Sequence, residues 1–210
     1  MASKVSLSMH SITKTVMLAL LASLPLHTQA VPLSASEVNP IEVGSTAPDV
    51  RIHDMDGQSV QLSALISKQP AIVIFYRGSW CPYCTRHLAE LGKIENEILK
   101  AGYQIIAISP DRPETIVETS EGEALAYSLY SDSSMEAAQA FGLAFQVDTA
   151  TLEKYDHHGI DLEKASGQSH HWLPVPALYV LEKDGRIKFR YFDANYKERL
   201  SSEALLQAIR

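Results

Sequence analysis

The chain has 210 residues, with 18 Lys and Arg against 25 Asp and Glu and a formal net charge of −7. That length suits one domain plus a short processed segment and allows a hydrophobic core without disulfide staples. An acidic chain with no basic cluster argues against nucleic acid or an anionic membrane as partner.

Before Val31 the only charged residues are Lys4 and Lys14, followed by an apolar run from Val16 to Leu26 and then Thr28-Gln29-Ala30. A basic start, a short apolar run and small residues at the cut form a signal-peptide pattern. The pattern predicts a signal peptide over 1–30, cleavage near Ala30, and an exported protein, periplasmic or secreted. The apolar run is about half the ~20 residues that span a bilayer, so no membrane span is expected in the mature chain. Cleavage removes two basic residues and no acidic one, which takes the net charge from −7 to −9.

Residues 31–43 are polar and irregular and read as a linker. The domain then runs over 44–210. Val50–His53 and Ser59–Leu62 alternate around Asp56-Gly57, which predicts an N-terminal hairpin. Ala71–Tyr76 (AIVIFY) is an apolar run rich in branched and aromatic residues, as a strand buried on both faces requires. After Arg77-Gly78-Ser79 comes Trp80-Cys81-Pro82-Tyr83-Cys84, opening a helix in which Leu88, Leu91, Ile94 and Ile98 recur at helical spacing and which ends at Lys100-Ala101-Gly102. Tyr103–Ser109 is a second buried strand, closed by Pro110-Asp111-Arg112-Pro113. A polar helix over Glu114–Tyr127, a short strand at Leu129-Tyr130 and a short helix over Met135–Phe141 follow. Residues 146–173 carry no clear period and read as an excursion, partly helical. Ala177–Leu181 and Arg186–Tyr191 form a hairpin across Lys183-Asp184-Gly185, and a last helix runs from Ser201, its cap, to Ile209. Strands alternating with helices, then a late hairpin, predict an α/β fold: a mixed central sheet with helices on both faces.

Two cysteines three residues apart, after a buried strand and at the start of a helix, carry the chemistry. Unpaired amides and the macrodipole at a helix N-terminus favour a thiolate. Pro82 sits where a missing N–H costs the helix little. One sulfur is expected to be exposed at the turn, with the other one turn further in, placed to attack a mixed disulfide or a sulfenic acid. Cys81 and Cys84 thus read as a pair cycling between dithiol and disulfide. A purely structural bridge over so small a loop would restrict the unfolded chain little. Half of a zinc site completed by His157, His158, His170 or His171 lacks the second paired spacing that structural zinc uses. No metal and no other cofactor is expected.

With these residues in view, the chain from Gly44 onward resembles the peroxiredoxin superfamily, the alkyl hydroperoxide reductase and thiol-specific antioxidant group. The matching stretches are Gly44–Asp49, Phe75-Tyr76, Trp80–Cys84, Ile108–Asp111, Ser131-Asp132 and 177–185, and the chain is most similar to the branch carrying Trp-Cys-Pro-x-Cys. The resemblance implies a thioredoxin-like fold and an antioxidant thiol peroxidase, with a thioredoxin-like protein as reductant. Aligned on Phe75-Tyr76, the peroxidatic residue falls on Cys84. The family's hydroxyl position then falls on Cys81, its proline on Arg77 and its arginine on Pro176, so the groups that polarise a peroxide are missing from their places; Arg77 is the candidate replacement. The chain also resembles thioredoxins, in which the first cysteine attacks and a cis-proline, here Pro176, faces the disulfide. That resemblance implies thiol–disulfide exchange on exported proteins, with Cys81 attacking. A non-catalytic binding domain is the third possibility. The peroxiredoxin assignment leads, and with it Cys84 as the attacking residue.

Among other residues, Trp80 is expected to shield the thiols or pack the turn, and Arg77 to stabilise a thiolate or lie on the surface. Asp111 and Arg112 end a buried strand on the side where open α/β sheets place ligands, with a solvated turn as the preferred reading, and His170-His171 either line the site or, as preferred, are exposed loop histidines.

Overall fold

The computed structural model describes residues 30–120 and 127–210, and Val31–Arg210 forms one compact unit. Of the expected signal peptide, 1–30, residues 1–29 lie outside the described residues.

The expected N-terminal hairpin is present: β1 (Arg51–His53) pairs antiparallel with β2 (Ser59–Gln61), with Ile52 facing inward. A short helix α1 (Leu62–Ile66) follows. The apolar run becomes β3 (Ala71–Phe75), buried at every position. After the Cys-x-x-Cys turn come α2 (Pro82–Lys100), β4 (Gln104–Ser109), α3 (Pro113–Ser120), β5 (Ser128–Ser131) and α4 (Glu136–Ala140). The polar helix expected as far as Tyr127 is described to Ser120; residues 121–126 lie outside the described residues. The chain then forms β6 (Ala144–Gln146), α5 (Thr149–His157), α6 (Leu162–Ser166), β7 (Trp172–Pro174), β8 (Ala177–Leu181), β9 (Ile187–Phe192) and α7 (Ser202–Ala208). Ser201 caps α7 as expected, its side chain accepting from the Ala204 N–H.

Seven strands make one sheet in the order β2-β1-β5-β4-β3-β8-β9. β4 runs parallel to both β3 and β5, whereas β8 and β9 are antiparallel, so the sheet is mixed. The period-2 alternation of the central strands feeds two separate cores. Val73, Phe75, Ile106, Ile108 and Tyr179 point to one face, against Leu62 and Ile66 of α1 and Ala137 and Ala138 of α4. Ile72, Ile74, Ile105, Leu178 and Val180 point to the other, against Leu88, Leu91 and Ile98 of α2, Ile116 of α3 and Leu205 of α7. Each buried aliphatic side chain contributes about 1.5–3 kcal/mol, so α2 is anchored along its length by the stripe read from the sequence.

The aperiodic excursion is ordered. β6 and β7 pair as a separate two-stranded ribbon, and Val147, Leu162 and Leu173 form a small third core beneath α5 and α6, with Trp80 packed against it. The segment read as a linker is irregular, with one 3-10 turn at Ala35–Glu37, yet it lies on the domain. Pro32 O accepts from Gln146 N–H, Ile41 N–H donates to Phe141 O, and Arg190 donates to the carbonyls of Pro40 and Ile41. A Cβ on Gly142 would sit 2.1 Å from the Asn39 carbonyl oxygen, so glycine lets this segment close on the domain. No helix among the described residues is long and apolar enough to cross a membrane.

Candidate active site

β3 ends at the edge of the inner layer and hands the chain to α2 through Tyr76-Arg77-Gly78-Ser79-Trp80. Gly78 adopts φ +141°, and a Cβ there would lie 2.4 Å from Trp80 Nε1 and 2.8 Å from Asp111 Oδ1. The turn therefore closes only around a glycine. Cys81 is the N-cap of α2, its carbonyl accepting from the N–H groups of Cys84 (2.9 Å) and Thr85 (3.1 Å), and Pro82 opens the helix.

Both sulfurs are buried, at 1% exposure each. The expected exposed sulfur is absent because the excursion and the segment after β9 fold over the turn. The two Sγ atoms lie 2.7 Å apart, with the Cys84 thiol donating to Cys81. That donation, helped by the Cys84 backbone N–H and by the positive charges of Arg77 and Arg199, outweighs burial and brings the Cys81 thiol down to about 6. Cys84 moves the opposite way: its donated hydrogen bond, its burial and the neighbouring Cys81 charge all push its thiol up. The helix N-terminus thus favours a thiolate on the sulfur at the N-cap, Cys81, towards which the Cys84 thiol points.

Arg77, 4% exposed, lies above the turn. Its guanidinium carbon stands 4.1 Å from the ring centre of Tyr196, 5.1 Å from Trp80 and 5.6 Å from Tyr155, and it donates to the Tyr155 hydroxyl. Among the described residues no carboxylate pairs with it, and its Nε is buried without a partner. A buried cation needs a counter-charge, and a Cys81 thiolate supplies one. Arg77 is therefore no surface residue. Trp80 packs on Tyr155 at 5.5 Å between ring centres and lies against the core that holds both cysteines.

Arg199 and Tyr196 escaped the sequence, and Asp111 stands otherwise than expected. Arg199 reaches Cys84 from the segment after β9: its Nη2 donates to Sγ at 3.4 Å, while Nη1 donates to the carbonyls of Tyr196 (2.6 Å) and Glu198 (2.5 Å). Tyr196 stacks edge-on to Tyr83 at 5.7 Å as well as covering Arg77. Asp111 is fully buried, where a solvated turn was expected. It accepts from Ser79 N–H at 2.7 Å, leaves Oδ1 without a partner, and is raised to about 6 chiefly by burial.

Pro176 lies beside this site, but no described peptide bond is cis. The cis geometry taken from thioredoxins is thus corrected; the trans form is the lower-energy state of an X–Pro bond unless its surroundings oppose it. Val175 and Pro176, with Arg77, Tyr155, Tyr196 and the 33–35 segment, line a cavity of about 250 Å³. The histidines stand apart from the sulfurs. His157 and His158 are exposed on and just after α5, His170 is half-buried and links Ser133 O to Trp172 N–H, and His171 meets Glu163 at 2.9 Å. His170 and His171 therefore brace the loop before β7 and are not free in solvent. Among the described residues no cluster of three His, Cys, Asp or Glu side chains could hold a metal.

Residues 43–190 match the AhpC/TSA family. Peroxiredoxin Bcp of Escherichia coli is 33% identical over 106 residues, 50% of this chain and 67% of the relative. Thiol-disulfide oxidoreductase ResA of Geobacillus thermodenitrificans is 24% identical over 153 residues, 73% of this chain and 71% of the relative. Among solved structures, peroxidoxin BcpB of Mycobacterium tuberculosis superposes with a TM-score of 0.62 at 18% identity, covering 80% of this chain and 96% of that one. Reduced Prx3 of Vibrio vulnificus, in complex with hydrogen peroxide, gives 0.66 at 14% identity, covering 81% and 99%. The protein has the thioredoxin fold and is a thiol-dependent peroxidase or oxidoreductase. The chain belongs to the AhpC/TSA family.

Proposed function

We propose that this protein reduces peroxides with Cys81 as the attacking thiolate and Cys84 as the resolving thiol. One observation carries this order: the Cys81 sulfur, at the α2 N-cap, receives the Cys84 thiol hydrogen and feels the charge of Arg77, a buried cation that no carboxylate pairs among the described residues. The order reverses the one implied by aligning the chain on Phe75-Tyr76.

The Cys81 thiolate attacks one peroxide oxygen. An S–O bond forms, the O–O bond breaks, and the leaving oxygen departs as alcohol or water after taking a proton; Cys81 becomes a sulfenic acid. Arg77 stands where charge develops on that oxygen and supplies the donor missing from the family's usual position. Cys84 then attacks the Cys81 sulfur, an S–S bond forms, and the hydroxyl leaves as water. A dithiol protein of thioredoxin type returns two electrons and two protons.

Burial of both sulfurs supports a small substrate. Tyr196 covers Arg77 and Arg199 lies on Cys84, which obstructs an extended polypeptide, whereas a cavity of about 250 Å³ lined by Arg77 has room for a small molecule. Thiol–disulfide exchange is the second reading, favoured by the Trp-Cys-x-x-Cys sequence and the likeness to ResA. Mixing the fully reduced protein with hydrogen peroxide in a stopped-flow instrument, beside reduction of insulin disulfides, separates the two. Peroxide oxidation at least a hundredfold faster is expected, and faster insulin reduction would favour exchange. We also propose that the protein acts outside the cytoplasm, since residues 1–30 carry the pattern of a signal peptide; protein from its native host should begin near Val31, and retention of Met1 by intact mass would refute export.

A further inference from the structure

The pair of sulfurs is served by two arginines: both favour the Cys81 thiolate, and Arg199 also touches Cys84. We infer that Arg199 is a catalytic residue of the disulfide-closing step, a cation held on Cys84 to generate its thiolate once Cys81 has been oxidised. This rests on the proposal that Cys81 attacks first.

The geometry separates the two roles. Arg77 lies over the turn, in a cage of Trp80, Tyr155 and Tyr196. Arg199 lies on the other sulfur, with Nη2 at 3.4 Å from Cys84 Sγ. Its Nη1 is tied to two carbonyls of its own turn, Tyr196 and Glu198, so the guanidinium is fixed before reaction. No acidic side chain among the described residues pairs with it. The turn that carries it is pinned in turn: Tyr196 packs on Tyr83, between the two cysteines.

Cys84 must change character between the two steps. In the reduced pair it is a donor, and it loses its proton only with difficulty, because it holds the Cys81 thiolate by a hydrogen bond and sits beside that negative charge. Conversion of Cys81 to a neutral sulfenic acid removes both obstacles. Burial then remains as the opposing effect. The groups facing Cys84 at that point are the Arg77 backbone N–H, the Tyr76 hydroxyl at the end of β3, and Arg199. Of these Arg199 alone carries a full charge, and an opposite charge within ~4–6 Å favours the ionised form by 1–3 pKa units. The Cys84 proton goes to the departing hydroxyl, which leaves as water. The Cys84 electron pair forms the S–S bond and the Cys81 S–O bond breaks, so the step needs no further oxidant.

The test is rapid mixing of the reduced full-length protein with one equivalent of hydrogen peroxide, following sulfenic acid by dimedone trapping and closure by loss of free thiol. In Arg199→Gln the appearance of Cys81 sulfenic acid should slow, since the charge of Arg199 also favours the Cys81 thiolate, but by a smaller factor than closure. Closure should slow about tenfold at pH 7, so dimedone-trapped protein accumulates, and the pH midpoint of closure should rise by a unit or more. Arg199→Lys should restore most of the rate. Ultraviolet thiolate titration of Cys81→Ser, which leaves Cys84 alone, should give a midpoint that rises further in Cys81→Ser/Arg199→Gln; this reading holds even if Arg199→Gln is less stable. An unchanged closure rate and midpoint in Arg199→Gln, or an unmoved Cys84 titration, would overturn the assignment. Peroxide-driven sulfenic acid on Cys84 of the otherwise wild-type protein would instead refute the underlying order of the cysteines, whatever Arg199 does.

Discussion

At the scale of single residues, the site is a set of buried charges arranged around two sulfurs. Asp111 is the outlier, since burial opposes its ionisation and the Cys81 thiolate next to it adds to that effect. Its carboxyl is raised from 3.8 to about 6, so between those values the folded protein binds a proton that the unfolded chain releases. The resulting stabilisation is complete below pH ~4 and lost as pH rises through about 6. Asp111→Asn keeps an acceptor for the Ser79 N–H and cannot ionise. It should exceed wild type in stability by about 3 kcal/mol at pH 8, with the gap closing by pH 4. Urea unfolding at several pH values measures this, and a gap independent of pH would mean that Asp111 is not held near neutrality by burial.

At the scale of elements, what could be read depended on local period. The run 71–76 and the spacing of Leu88, Leu91 and Ile98 announced β3 and α2, because burial on two faces or along one stripe leaves its mark in neighbouring residues. The Cys-x-x-Cys turn, Pro82 at the first helical position and Ser201 as a cap were legible for the same reason. The region 146–173 was opaque. Its helices are short, α5 buries no residue fully, and β6 and β7 have three residues each, too few for a period to show. Arg199 reaches Cys84 across a sequence separation of 115, and no local pattern marks such a contact. Asp111 was misjudged because Pro110-Asp111-Arg112-Pro113 has the composition of a wet turn; only the packing of Gly78, Ser79 and the excursion shows that it is covered.

At the scale of the whole molecule, the excursion and the two segments flanking the sheet convert an open helix N-terminus into an enclosed site. Tyr155 of α5 and Tyr196 after β9 hold Arg77 between them, and Arg190 of β9 fastens residues 40–42 through two carbonyls and Glu42. The segment from Val31 that lines the cavity would remain after cleavage near Ala30, so the mature chain keeps the whole enclosure. Everything in this arrangement turns on one thiolate at Cys81. The direct measurement is peroxide oxidation of the two single-cysteine variants, with the modified sulfur located by mass spectrometry after dimedone trapping. Cys84→Ser should form a sulfenic acid at Cys81 at close to the wild-type rate, and Cys81→Ser should react no faster than an ordinary free thiol. Rapid sulfenic acid formation at Cys84 in Cys81→Ser, with Cys84→Ser inert, would contradict the account.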